Sequence, residues 1–128
     1  MTVKKSFSKS TLEAVQKEKI FGIRAGRASS HRIIGIWAVV VKGRVFVRSW
    51  SLKPRSWWRT FLVDPQGVLT VGNREFQIRA VQIRSETLKD AVSEAYREKY
   101  NRPGDIQYVK DMSRRKSRDT TTELVPLK

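Results

Sequence analysis

Twelve consecutive residues, Arg48-Ser49-Trp50-Ser51-Leu52-Lys53-Pro54-Arg55-Ser56-Trp57-Trp58-Arg59, hold four cations, three serines and three tryptophans. If this stretch ends a strand and starts a helix, its chemistry suits an anion. Free amides at the helix start, serine hydroxyls and several cations can converge on one phosphate, while a flat ligand ring lies on a neighbouring indole. The same residues also admit a structural reading, in which the tryptophans form the apolar face of a helix and the cations point at water.

A second basic run, Ser113-Arg114-Arg115-Lys116-Ser117-Arg118, has the composition of a solvated loop and could also reach a phosphate of a cofactor or of nucleic acid. The lone histidine, His31, stands beside Ser29 and Ser30 in an expected turn and is assigned no role. With no cysteine and one histidine, the chain lacks the material for disulfides, Cys-ligated metal, thiol nucleophiles or a Ser–His–Asp hydrolase. No Gly-rich dinucleotide or Walker-type loop occurs among the seven glycines.

The elements that must position these residues belong to one domain, since 128 residues divided in two would bury too little apolar surface. At 39% hydrophobic and 30% charged, with 12 aromatics, the composition supports a packed core. The net charge of +15 is uneven: residues 1–60 carry 14 basic and 2 acidic side chains, residues 61–128 carry 13 and 10. A basic extension over residues 1–14 followed by a single domain over 15–128 is expected. The longest apolar run, Ile36 to Val41, falls far short of the ~20 residues that span a bilayer, and the basic, Ser-rich start lacks a secretory signal. A cytoplasmic protein with no membrane partner is the expectation.

Ser10-Thr11-Leu12-Glu13 has capping-box spacing and predicts a helix over Thr11–Lys19. Strands follow over Ile20–Ala28 and His31–Val41, and Lys42-Gly43 is a two-residue hairpin turn into Arg44–Trp50. That turn sets Val41 opposite Arg44, Val39 opposite Phe46 and Trp37 opposite Arg48. It directs Ile34, Ile36, Ala38, Val40, Val45, Val47 and Ser49 to the core, and Trp37, Phe46, Arg48 and Trp50 outward. An outward face this aromatic requires cover from another element, another subunit or a ligand.

Pro54–Asp64 predicts a helix that Pro65 stops, Gly67–Gly72 and Glu75–Ile83 a second hairpin, and Ser85 the cap of a helix to about Tyr100. Leu88, Ala91, Val92, Ala95 and Tyr96 form the apolar face of that helix. A short helix over Ile106–Met112 and a final β-branched strand over Thr120–Leu127 complete the expectation.

The order Ile36-Trp37…Val41, turn, Val45-Phe46-Val47-Arg48-Ser49…Lys53…Arg55…Trp57-Trp58…Asp64-Pro65…Val71-Gly72…Glu75-Phe76, then Ala95-Tyr96-Arg97-Glu98-Lys99-Tyr100 and a Thr-rich last strand, resembles a bacterial domain-of-unknown-function family of small split-barrel proteins. More distantly it is similar to deazaflavin-dependent nitroreductases and to pyridoxamine-phosphate-oxidase-like FMN-binding split barrels. The resemblance covers roughly residues 15–127 and rests on a pattern of aromatics, cations and turns rather than a catalytic signature. It implies an α+β fold, a six-stranded antiparallel split β-barrel with flanking helices, built as a homodimer. It implies FMN or deazaflavin as cofactor, an oxidoreductase reaction, and cofactor-binding roles for Arg48, Ser49, Lys53, Arg55, Trp57 and Trp58. Deazaflavin reductases commonly show Trp-Tyr where this chain has Trp57-Trp58, so the phenolic proton donor is replaced by an indole. Two alternatives stay open: a basic module that binds single-stranded nucleic acid, and a structural barrel without cofactor.

Overall fold

The structure, a computed structural model, describes residues 6–27, 33–50 and 56–127. It begins with helix α1 (Lys9–Lys17) and strands β1 (Phe21–Ala25), β2 (Ile34–Ile36), β3 (Ala38–Val41) and β4 (Arg44–Val47). Helix α2 (Trp57–Val63), strands β5 (Gln66–Val71) and β6 (Arg74–Gln82), and helix α3 (Glu86–Lys99) follow. The chain ends in helices α4 (Pro103–Ser113) and α5 (Arg115–Arg118) and strand β7 (Thr122–Pro126).

Lys42 and Gly43 both take left-handed backbone, with φ of +54° and +73°, which matches a two-residue turn to the twist of the strands it joins. The register follows as expected from the sequence, with Val41 opposite Arg44 and Val39 opposite Phe46. At the second hairpin Val71 faces Arg74, and Gly72 supplies the positive φ of +60°.

Every ladder is antiparallel, in the order β2-β1-β5-β6-β7-β4-β3. The two ends of that order, β2 and β3, are successive in the chain with Trp37 alone between them, so the sheet curls into a nearly closed barrel with one seam. The α+β class and antiparallel barrel are as expected, with seven strands among the described residues in place of six. The single strand expected over His31–Val41 breaks at Trp37 and changes partner, β2 pairing with β1 and β3 with β4. Backbone groups released by the break are taken up by α3 and its C-cap: the Tyr96 hydroxyl donates to Trp37 O (2.8 Å) and the Tyr100 hydroxyl accepts from Ala38 N (3.2 Å).

Two apolar layers result. Inside the barrel, Phe21, Ile23, Ile36, Ala38, Val45, Val47, Leu69, Ile78 and Leu124 pack together, closed off by Phe7, Val15, Trp57 and Phe61. Outside it, Val39 and Phe46 pack against Val92, Tyr96 and Tyr100 of α3 and its C-cap and Val109 and Met112 of α4. The aromatic outward face of the hairpin is therefore covered largely by the chain's own helices. Phe46 is fully buried, and Trp50 remains 63% exposed. Ile34, expected in the core, is partly exposed at the barrel rim.

Several boundaries differ from the sequence reading. Helix α1 starts two residues early because Ser8, not Ser10, is its cap, with Ser8 Oγ accepting from Thr11 N. Its Thr11 and Val15 are buried and Phe7 precedes it in the core, so packing extends across the expected boundary at residue 14. Helix α2 is capped by Ser56 and starts at Trp57, later than Pro54. Helix α3 runs from its Ser85 cap as expected, while α4 starts at Pro103, ahead of Ile106, with the proline in its first turn.

Candidate functional site

At the seam, where the β3–β4 ladder ends, the chain opens a cavity of about 460 Å³. Its walls come from Ile34, Gly35, Ile36 and Trp37 on one side and Arg48, Ser49 and Trp50 after β4 on the other. Ser56 and Trp57 at the start of α2, and Tyr108 and Met112 of α4, complete it. Three tryptophans and a tyrosine thus border one space. Ring contacts join three of them: Tyr108 lies edge-to-face with Trp37 (5.9 Å) and with Trp50 (6.4 Å), Trp37 stacks on Tyr100, and Trp57 instead meets Phe61.

Arg48 reaches this cavity from a buried position, 2% exposed. Its Nε donates to Thr121 Oγ1 (2.8 Å), Nη1 to Ser93 Oγ (2.7 Å) and Met112 O (3.1 Å), and Nη2 to Lys89 O (2.8 Å). No carboxylate among the described residues pairs with it. Burial pushes the guanidinium pKa down to about 10, so it keeps its charge at neutral pH. The result is a buried positive charge whose donors are mostly committed to neutral oxygens, which favours negative charge nearby through its field.

Ser49 is also buried; its N–H donates to Thr120 Oγ1 (2.8 Å) and its carbonyl accepts from Ser117 Oγ (2.7 Å). These bonds fasten the residues after β4 to α5 and to the segment that joins it to β7. Arg118, at the end of α5, is held in turn by Glu86 Oε1 (2.9 Å) and Asp90 Oδ1 (2.7 Å). The basic run expected to be a solvated loop is thus a helical turn pinned at Ser117 and Arg118, with Arg114, Arg115 and Lys116 left exposed.

Of the six residues singled out from the sequence, Arg48, Ser49 and Trp57 border this cavity. Trp58 turns elsewhere: its Nε1 donates to Gln82 Oε1 (2.9 Å) and Arg59 lies over its ring. Lys53 and Arg55 lie outside the described residues, as does His31. The sequence reading missed Tyr108 and Met112, whose helix was expected but not its place beside the β4 end. Among the described residues no group of three His, Asp or Glu could hold a metal ion, and no helix is long and apolar enough to cross a membrane.

A family model described as an uncharacterized protein conserved in bacteria matches residues 11–124. Among solved structures, that of a conserved hypothetical protein from Mycobacterium tuberculosis superposes with a TM-score of 0.63 at 13% identity. The match covers 99% of this chain and 84% of that one. At that identity the likeness shows the fold alone. No curated protein matches the chain.

Proposed function

The chain belongs to the DUF2255 family of uncharacterised proteins conserved in bacteria, and we propose its function from the cavity: binding of a planar, anionic heteroaromatic molecule of the flavin or deazaflavin class. The observation that carries this reading is the union, in one space of about 460 Å³, of Trp37, Trp50, Trp57 and Tyr108 with the buried charge of Arg48. That volume lies within the roughly 300–1,000 Å³ of small-molecule sites.

The residues fit such a group by their chemistry. Flat aromatic walls suit a flat ring, and the mostly apolar lining excludes water from it. The Arg48 field favours an electron-rich or anionic edge, and the Ser49 and Ser56 positions bring polar groups to the rim. When bound, a flavin or deazaflavin supplies hydride or electron transfer; the side chains here bind, orient and dry it. With Trp58 directed to Gln82, the second aromatic of the Trp57-Trp58 pair offers the cavity no proton donor.

Titration of the purified protein with FMN and with a deazaflavin, followed by quenching of indole fluorescence, tests this reading. Saturable micromolar binding that weakens in Tyr108→Ala and Trp50→Ala supports it. Both rings are more than half exposed, at 51% and 63%, so the fold should tolerate their loss. Absence of saturable binding by either ligand overturns it.

A second reading draws on the +15 charge and the exposed indole of Trp50, features of a platform for single-stranded nucleic acid. Its affinity would fall by about 0.7 log unit per log unit of salt for each phosphate contact. Nanomolar binding of an oligonucleotide at physiological salt would favour it over the small-molecule reading.

A further inference from the structure

Trp50 belongs to two spaces at once. It borders the aromatic cavity and also an open groove lined by Asp111, Arg114, Arg115, Lys116 and Ser117. The cavity and the groove share one indole as a wall. One is apolar and shaped for a ring; the other carries three cations against one carboxylate.

That carboxylate leaves the groove's charge largely uncancelled. Asp111 Oδ1 stands 3.7 Å from Arg114 Nη1 and also accepts from Gln107 Nε2 (3.1 Å), while no carboxylate among the described residues pairs with Arg115 or Lys116. Arg118 is the cation of this run that Glu86 and Asp90 neutralise, so the run is divided into an anchored end and a free end. The anchor is short. Ser117 Oγ donates to the carbonyl of Ser49, the residue immediately before Trp50, which ties the cationic turn to the rim of the aromatic cavity.

Arg48 is poorly suited to grip an anion directly, since four of its N–H directions are committed to Thr121, Ser93, Met112 and Lys89. Direct contacts to a phosphate need open donors, and Arg114, Arg115 and Lys116 have them. We propose that the groove beside Trp50 binds the phosphate end of a ligand whose ring occupies the aromatic cavity, with Arg114, Arg115 and Lys116 as the phosphate-binding residues. This inference rests on the reading of the cavity as a ring-binding site and adds the ligand class, a phosphorylated heteroaromatic.

FMN and riboflavin, which differ by one phosphate, separate the two ideas. The wild-type protein is expected to bind FMN at least tenfold more tightly than riboflavin. Replacing Arg114, Arg115 and Lys116 together by glutamine should weaken FMN by roughly tenfold or more and leave riboflavin unchanged. All three side chains are exposed, and circular dichroism checks that the fold persists. Replacing Lys17, Arg79 and Arg84 by glutamine removes the same charge from positions outside both spaces and should leave the preference intact. Equal affinities of the wild type for FMN and riboflavin, or equal losses in the two triple variants, would overturn the phosphate site while leaving the ring site standing. Failure of both ligands to bind would remove both.

Discussion

The indole of Trp37 lies flat against the ring of Tyr100, centroids 4.2 Å apart and planes 3° from parallel, at the point where one strand leaves β1 and joins β4. The same Tyr100 closes the break chemically, its hydroxyl donating to Lys19 O (2.7 Å) and accepting from Ala38 N (3.2 Å). A single side chain thus stacks on the hinge of the barrel and satisfies the backbone that the hinge exposes.

Tyr100→Phe should therefore keep the stack and lose both hydrogen bonds, leaving the buried Ala38 N–H unpaired. The expected cost is about 1–3 kcal/mol, read as a lower urea midpoint with an unchanged slope. An unaltered midpoint would show that the seam is held by the stack alone.

Arg48 predicts a harsher outcome. Arg48→Met strands the carbonyls of Met112 and Lys89, and the expected loss is about 3 kcal/mol or more. Arg48→Lys should fail to rescue it, because one ammonium cannot reach acceptors on α3, α4 and the approach to β7 together. Rescue by lysine would mean that charge, not the branched donor set, is what the site uses.

Lys99 gives a pH prediction. Its ammonium donates to Val15 O and Ala38 O (both 2.7 Å), and burial lowers its pKa to about 8. The unfolded amine titrates near the usual value of about 10.4, so between the two the unfolded state holds the extra proton and stability rises with pH. Burial raises the pKa of Tyr96 and of Tyr100, so above about 10 the unfolded phenols ionise first and stability falls again. Thermal unfolding from pH 7 to 11 should show a rise followed by a fall, and Lys99→Met should remove the rise alone.

Lys42 holds φ of +54° without being glycine, asparagine or aspartate. Left-handed backbone costs an ordinary residue about 1–2 kcal/mol, and asparagine tolerates it better. Lys42→Asn should raise stability by about 0.5–1 kcal/mol, measured by denaturant unfolding. A loss of stability would mean that the lysine side chain contributes contacts that outweigh the strain.

How much of this was legible in the sequence follows from how far apart the interacting residues are. The β3–β4 register was readable because Lys42-Gly43 and the alternation on either side are local, and a two-residue turn admits one pairing. Helix α3, from its Ser85 cap to Tyr100, was readable for the same reason, as were the second hairpin and the final strand. The break at Trp37 was not, since it depends on hydroxyls of Tyr96 and Tyr100 about 60 residues away in the chain. Arg48 and Ser49 stand out in the sequence by residue type and spacing, but their burial is decided by α3, α4 and α5 folding back over the strand that carries them. The insertion of β7 between β4 and β6 likewise joins segments with no local signal for each other. Turn chemistry, capping and hydrophobic period therefore determined the elements, because they act within a few residues. Barrel closure, the covered aromatic face and the meeting of an aromatic cavity with a cationic groove at Trp50 were decided by the tertiary structure, because they arise only when distant buried polar groups must find partners.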